Sequence, residues 1–175
     1  MELITIIDLI QKYFGYSGFI LLFLNIILFK VNEKRKWVNV LEYITFLILF
    51  VHPALLVMHK YLYVSDLDPF YYFVDACVMC PDRREHLINF GRISLYLFSI
   101  STFLYLFKKQ HYLIEKLLKY KILFVYLAFY LTSIHISNLT YTIANNPIYK
   151  LLLLASQIVV TLRLIFDLRE FFING

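Results

Sequence analysis

Five predominantly apolar stretches, roughly 14–31, 38–62, 87–107, 120–141 and 148–167, follow one another along the chain, joined by polar connections. Each is close to the ~20 residues that an α-helix needs to cross the hydrocarbon of a bilayer. A segment in lipid must satisfy its own backbone N–H and C=O groups, so stretches of this kind fold as helices. The expected fold is all-α, an integral membrane bundle of about five transmembrane helices. Composition agrees: 61% of the 175 residues are hydrophobic and 17% are charged, more apolar surface than a soluble domain of this length could hide. A single membrane domain, 1–175 with its core at 14–167, uses the whole length and leaves none for a soluble catalytic domain. No internal repeat is evident. The opening "MELITIIDLIQKYFGY" lacks a basic n-region and a small-residue cleavage site, so no signal peptide is expected. The first dozen residues are expected to lie along the interface as a partial helix.

The net charge of +5 would suit a nucleic-acid binder if it were gathered on one face. It is instead divided by loop. Lys30, Lys34, Arg35, Lys36, Lys108, Lys109, Lys116, Lys119, Lys121, Arg163 and Arg169, 11 of the 17 basic residues, fall in the first and third connections and the C-terminal tail. Asp66, Asp68, Asp75, Asp82 and Glu85 fall on the other side. The positive-inside rule then places the N-terminus outside and the C-terminus inside a membrane, the plasma membrane being the expected one. The partner implied by the charge is a lipid bilayer, not nucleic acid.

Histidines stand out within this hydrocarbon. His52, in "FLILFVHPALLVMHKYLY", lies 14 residues beyond Val38, and His135, in "YLTSIHISNL", lies 14 beyond Lys121. At the usual rise both are ~21 Å from the inner end of their helices. Two imidazoles at one level on co-directional helices suit the two axial positions of a heme iron. An ionisable side chain at such depth is costly and usually functional. The plainer alternative is that each histidine donates to a carbonyl of a neighbouring helix. The spacing does not separate heme from a small metal, although two histidines without carboxylates make a poor zinc or iron site. His59, seven residues past His52, is expected at the outer interface, near a heme propionate or simply wet. Pro53 removes one helical hydrogen bond beside His52 and is expected to kink the helix there. Arg92, near the outer end of the third stretch, is a candidate propionate partner or a side chain that snorkels to headgroups. His86 and His111 read as solvated.

The order of "GYSGFILLFLNIIL", "LEYITFLILFVHP", "FYYFVDACVMC", "FGRISLYLFSISTFLYLF", "KYKILFVYLAFYLTSIH" and "NPIYKLLLLASQIVVTLRLI" resembles the ferric-reductase-like transmembrane domain, the heme-bearing module of ferric reductases and NADPH oxidases. The resemblance covers roughly 14–167. It implies heme b ligated through paired histidines, with two per ligand helix some 13 or 14 residues apart. Here the inner positions hold Val38 and Asn39 on one helix and Lys121 and Ile122 on the other. Only His52 and His135 carry over, as ligands of a single outer heme. The family's usual first helix and its flavin and nicotinamide domain have no counterpart in these residues. The resemblance thus implies a membrane cytochrome fed by a quinol or a separate flavoprotein, passing electrons to an acceptor at the outer face.

Cys77 and Cys80, in "ACVMCPDRRE", form a C-x-x-C in the outer connection, where a disulfide is permitted. They are either a redox-active pair beside Arg83 and Arg84 or a local structural disulfide or apolar turn. Two further functions stay open beside the cytochrome. One is a thiol–quinone oxidoreductase centred on this pair, and the other is a non-catalytic helical membrane subunit.

Overall fold

The structure, a computed structural model, describes residues 2–29, 36–63, 73, 83–107, 114, 117–118, 120–139 and 146–174. Five long helices account for nearly all of them: α1 (Glu2–Phe29), α2 (Lys36–Tyr63), α3 (Arg83–Leu106), α4 (Lys121–Leu139) and α5 (Pro147–Asn174). No strand occurs among the described residues. Four helices contain spans long and apolar enough to cross a membrane: Thr5–Leu28, Val38–His59, His86–Leu106 and Pro147–Glu170. The chain is an all-helical bundle of the kind found in multi-pass membrane proteins.

The partial helix expected over the first dozen residues is instead the start of one unbroken 28-residue helix. Asp8 and Lys12 pair one turn apart, which offsets two charges that interrupt the apolar run. Ile7 and Gln11 are buried while Leu3, Ile6 and Leu9 face outward, so the segment already has an inner and an outer face. The second helix continues through Pro53 to Tyr63.

The bundle is apolar outside and mixed inside. Leu47 is 59% exposed, Leu151 66% and Ile158 53%, surfaces suited to contact with lipid chains. The interior combines Leu22, Ile26, Phe98, Phe129 and Val160 with buried Thr45, Ser94, Thr102, Thr132 and Ser133. The hydroxyls do not disrupt this core because they bond back to carbonyls one turn earlier: Thr45 to Leu41 at 2.7 Å, Thr132 to Ala128 at 2.8 Å and Ser133 to Phe129 at 2.9 Å.

The helices pack as two antiparallel hairpins, α1 with α2 and α3 with α4. The hairpins meet at two places: Phe129 of α4 stacks on Phe19 of α1 with ring centroids 5.2 Å apart, and Phe46 of α2 lies against Phe103 of α3. α5 packs against both α4 and α1, and Tyr126 of α4 donates its hydroxyl hydrogen to Asp167 of α5 at 2.6 Å. Arg163 lies beside the same carboxylate at 3.5 Å.

A repeat that is not evident as sequence is present as geometry. Gln11, Gly15 and Gly18 of α1 stand 76 residues before Leu87, Gly91 and Ser94 of α3, and Leu49 and His52 of α2 stand 83 before Thr132 and His135 of α4. In the first hairpin Gly18 packs on Leu49 and Gly15 on His52; in the second Ser94 bonds Thr132 and Gly91 packs on His135. The two hairpins are built on one plan, with a histidine at the same place in each.

Candidate functional site

Each histidine is held by the neighbouring helix of its own hairpin. His52 Nδ1 lies 2.8 Å from the carbonyl oxygen of Gln11, and His135 Nδ1 lies 2.7 Å from that of Leu87. A carbonyl oxygen can only accept, so both Nδ1 atoms carry the proton and donate it. The neutral ring then keeps its lone pair on Nε2.

The carbonyl is reachable because a glycine follows it by four residues. A Cβ on Gly15 would lie 3.0 Å from Cε1 of His52, and one on Gly91 would lie 2.8 Å from Cε1 of His135. Glycine lets each imidazole lie against bare backbone, with its Nδ1 edge turned to the carbonyl one turn away. Both rings are half-buried, and they are near enough to act electrostatically on each other. The plainer alternative foreseen for the histidines, donation to a neighbouring carbonyl, is thus observed for both. It accounts for Nδ1; among the described residues Nε2 of neither ring has a hydrogen-bond partner, which leaves it as a donor atom for a ligand.

A bond from Nδ1–H to a carbonyl is also the support that fixes ring orientation and raises basicity in histidines that bind metals through Nε2. Among the described residues there is no group of three or more His, Cys, Asp or Glu side chains able to hold a metal ion. The donor set here is two imidazoles, which completes an iron already held by four equatorial nitrogens better than a bare ion.

Arg92 adjoins Gly91 and is 4% exposed, so it does not snorkel. Its Nη1 donates to Asn89 Oδ1 at 2.7 Å. Tyr16 adjoins Gly15 and so takes the equivalent place in the first hairpin; its hydroxyl is buried and makes no hydrogen bond among the described residues. A guanidinium and a phenol therefore flank the two glycines that face the histidines, and both could donate to an anionic group. His59 is half-buried two turns beyond His52 and within electrostatic reach of Asp8 near the start of α1. That places it past the paired histidines, towards the end of the bundle. His86 is exposed at the start of α3, as expected. Cys77, Cys80 and His111 lie outside the described residues.

At the opposite end of α2 and α4 the positions implied for inner ligands are filled differently. Val38 is buried, and Lys121 is buried in an ion pair with Glu42, Nζ to Oε2 2.7 Å. No imidazole stands at that level among the described residues.

The glycines and the Glu42–Lys121 pair are the site features that the residues alone did not disclose. A signal existed for the first. Only four glycines occur in the chain, and three of them, Gly15, Gly18 and Gly91, lie inside apolar stretches, where glycine marks close approach of helices.

No known family model, no curated protein and no solved structure matches this chain.

Proposed function

We propose that this chain is a membrane b-type cytochrome that holds one heme between His52 and His135. The observation that carries the proposal is the duplicated support: two imidazoles near one another, each fixed through Nδ1 to a carbonyl one turn before a glycine. A histidine serving only to join helices needs no such counterpart in a second hairpin. His52 and His135 would hold the heme iron through Nε2, Arg92 and Tyr16 would receive the propionates, and His59 would lie further out towards the interface. The heme supplies one-electron redox chemistry. The protein's part is to fix both imidazoles, bury the group in apolar surroundings that set its potential, and bring its edge near one face of the membrane.

With the basic loops inside, the histidines lie in the outer half of the bilayer and the acceptor is at the outer face: ferric ion, oxygen or an extracytoplasmic protein. One heme leaves a long gap to a cytoplasmic nicotinamide, so the donor is a quinol or a separate flavoprotein. The plasma membrane is the proposed location.

The test is the visible spectrum of the purified protein, oxidised and then dithionite-reduced, beside His52→Ala and His135→Ala. A sharp b-type reduced spectrum in the parent, lost in both variants, is the expected result. A colourless parent from heme-replete cells would overturn the proposal.

A further inference from the structure

Fifteen ångströms or so below the histidines, by the helical rise over the ten residues from Glu42 to His52, lies a second buried polar site that ligand holding does not use. Glu42 and Lys121 have side chains 5% and 3% exposed. The Lys121 ammonium is shared between Glu42 Oε2 and the face of Tyr105, 4.3 Å from the ring centroid. The other carboxylate oxygen, Oε1, is buried without a hydrogen bond of ordinary geometry among the described residues, and the Thr102 hydroxyl is close enough to act on the carboxylate. A narrow cleft between Ile26, Phe98 and Val125 reaches this carboxylate, with Asn25 and Lys121 as its other polar walls. It has room for about one water molecule.

A bare carboxylate oxygen inside an apolar bundle is costly unless water or a proton completes it. Lys121 already holds Oε2, so Oε1 is where a proton can add without breaking the pair. The cleft would supply it through a single water, from the end of the bundle that carries the basic loops.

We infer that Glu42 is a proton-exchanging site that takes up a proton when the heme gains an electron. This rests on the cytochrome reading above. In the step, one electron from the donor (a quinol in the membrane, dithionite in the test) converts ferric to ferrous iron, and one proton from the inner aqueous side adds to Oε1. An O–H bond forms at Glu42, and one breaks in the hydronium that delivers the proton. The buried pair passes from net neutral to net positive as the heme passes to one more negative charge, so the interior keeps its total charge. Such compensation matters here because buried charges are poorly screened. Among the described residues, the charged and titratable groups facing Glu42 are Lys121 from α4 and Tyr105 from α3; α3 also presents Thr102, and α1 presents Asn25 and Ile26.

The experiment uses the full chain with its heme in lipid nanodiscs. Reduced-minus-oxidised infrared spectra are taken in light and heavy water, with potentiometric titrations of the heme from mildly acidic to mildly alkaline pH. The parent should gain, on reduction, the carbonyl-stretch band of a protonated carboxylic acid that shifts in heavy water, and its midpoint potential should fall as pH rises. Glu42→Gln should keep the heme spectrum, lose the band and flatten the pH dependence. The double variant Glu42→Gln with Lys121→Met removes both charges and should also be flat, which covers the case in which Lys121 alone prevents the single variant from folding. A heme-loaded parent with a pH-independent potential, or variants with the parental slope and band, would overturn the inference and leave the cytochrome standing. A colourless parent would overturn both.

Discussion

Gly91 and His135 are packed so tightly that a methyl group on the glycine would lie 2.8 Å from Cε1 and 2.9 Å from Nδ1 of the ring. Those ring atoms belong to a side chain whose other restraint is a hydrogen bond to the backbone of the same helix, at Leu87. The ring cannot yield without losing that bond. Gly91→Ala should therefore cost about 1–3 kcal/mol of stability and release the ring; on the cytochrome proposal the purified variant then carries less heme than the parent. Gly15→Ala, with its nearest ring atom at 3.0 Å, should show the same loss in weaker form. Gly18→Ala meets the flexible end of Leu49 at 2.9 Å and should keep its heme. Heme-to-protein ratio and thermal unfolding of the three variants decide between these outcomes.

The bounds of the bundle were legible because hydrocarbon solvent imposes a length, and the runs behind α2, α3 and α5 each showed it, while the run behind α4, also expected to span, is not among the four helices long and apolar enough to cross a membrane. The start of α1 was not, because Glu2, Asp8, Gln11 and Lys12 interrupt the apolar count while one of them is buried and two of them pair. That His52 and His135 belong together was also legible, since a shared residue count gives them corresponding places on two co-directional helices. The repeat was hidden for a physical reason: it is carried by main-chain carbonyls at Gln11 and Leu87 and by small contacts at Gly18 and Ser94. Neither depends on keeping the same side chain. The Glu42–Lys121 pair was hidden because 79 residues separate its members, and each alone reads as a charge near the end of a helix.

Arg92 is a buried positive charge beside the glycine that His135 packs on. A positive charge in the interior favours the reduced heme. For a proposed heme on the order of 10 Å away and an effective dielectric of about 20, its loss would be worth roughly 1.7 kcal/mol. Arg92→Gln should retain the bis-histidine spectrum while lowering the midpoint potential by tens of millivolts, about 60 mV corresponding to a tenfold change for one electron. An unchanged potential would place Arg92 outside the heme's field.

Tyr126 fixes α5 to the rest of the bundle through Asp167, which is 9% exposed. Tyr126→Phe removes one donor and leaves the carboxylate with Arg163. The expected cost is about 1–3 kcal/mol for a buried acceptor that loses a partner. Because Tyr126 lies nine residues, about 13 Å along α4, from His135, the heme spectrum should be unchanged. A variant that unfolds earlier on heating but keeps its absorbance would separate helix docking from ligand holding; loss of absorbance would show the two to be coupled.

Cys77 and Cys80 offer the sharpest contrast between the cytochrome and a thiol–quinone enzyme. If the electron path runs through His52 and His135, replacing both cysteines with serine should leave the reduced spectrum and the rate of heme oxidation by a ferric chelate within about twofold of the parent, a difference of only ~0.4 kcal/mol in barrier. Loss of quinone-linked activity in the cysteine variants, together with a parent that shows no chromophore, would shift the function to the thiol pair.

Glu42 and Lys121 should be strongly non-additive in stability. Removing one member takes from the other its ion-pair partner: Lys121→Met leaves a carboxylate buried between α2 and α4, and Glu42→Gln takes the carboxylate from a buried ammonium. Breaking a buried pair in this way costs about 3–5 kcal/mol. Replacing both removes the two desolvation penalties together and puts methionine carbon against Phe98, Ile122 and Val125, which already line the cleft. The double variant Glu42→Gln with Lys121→Met should therefore be at least as stable as the better of the two single variants. Thermal unfolding of all four proteins in one lipid measures the coupling. Two single losses that simply add in the double variant would mean that the charges are not paired in the membrane, and the charge neutrality that makes Glu42 suited to exchange a proton would go with them.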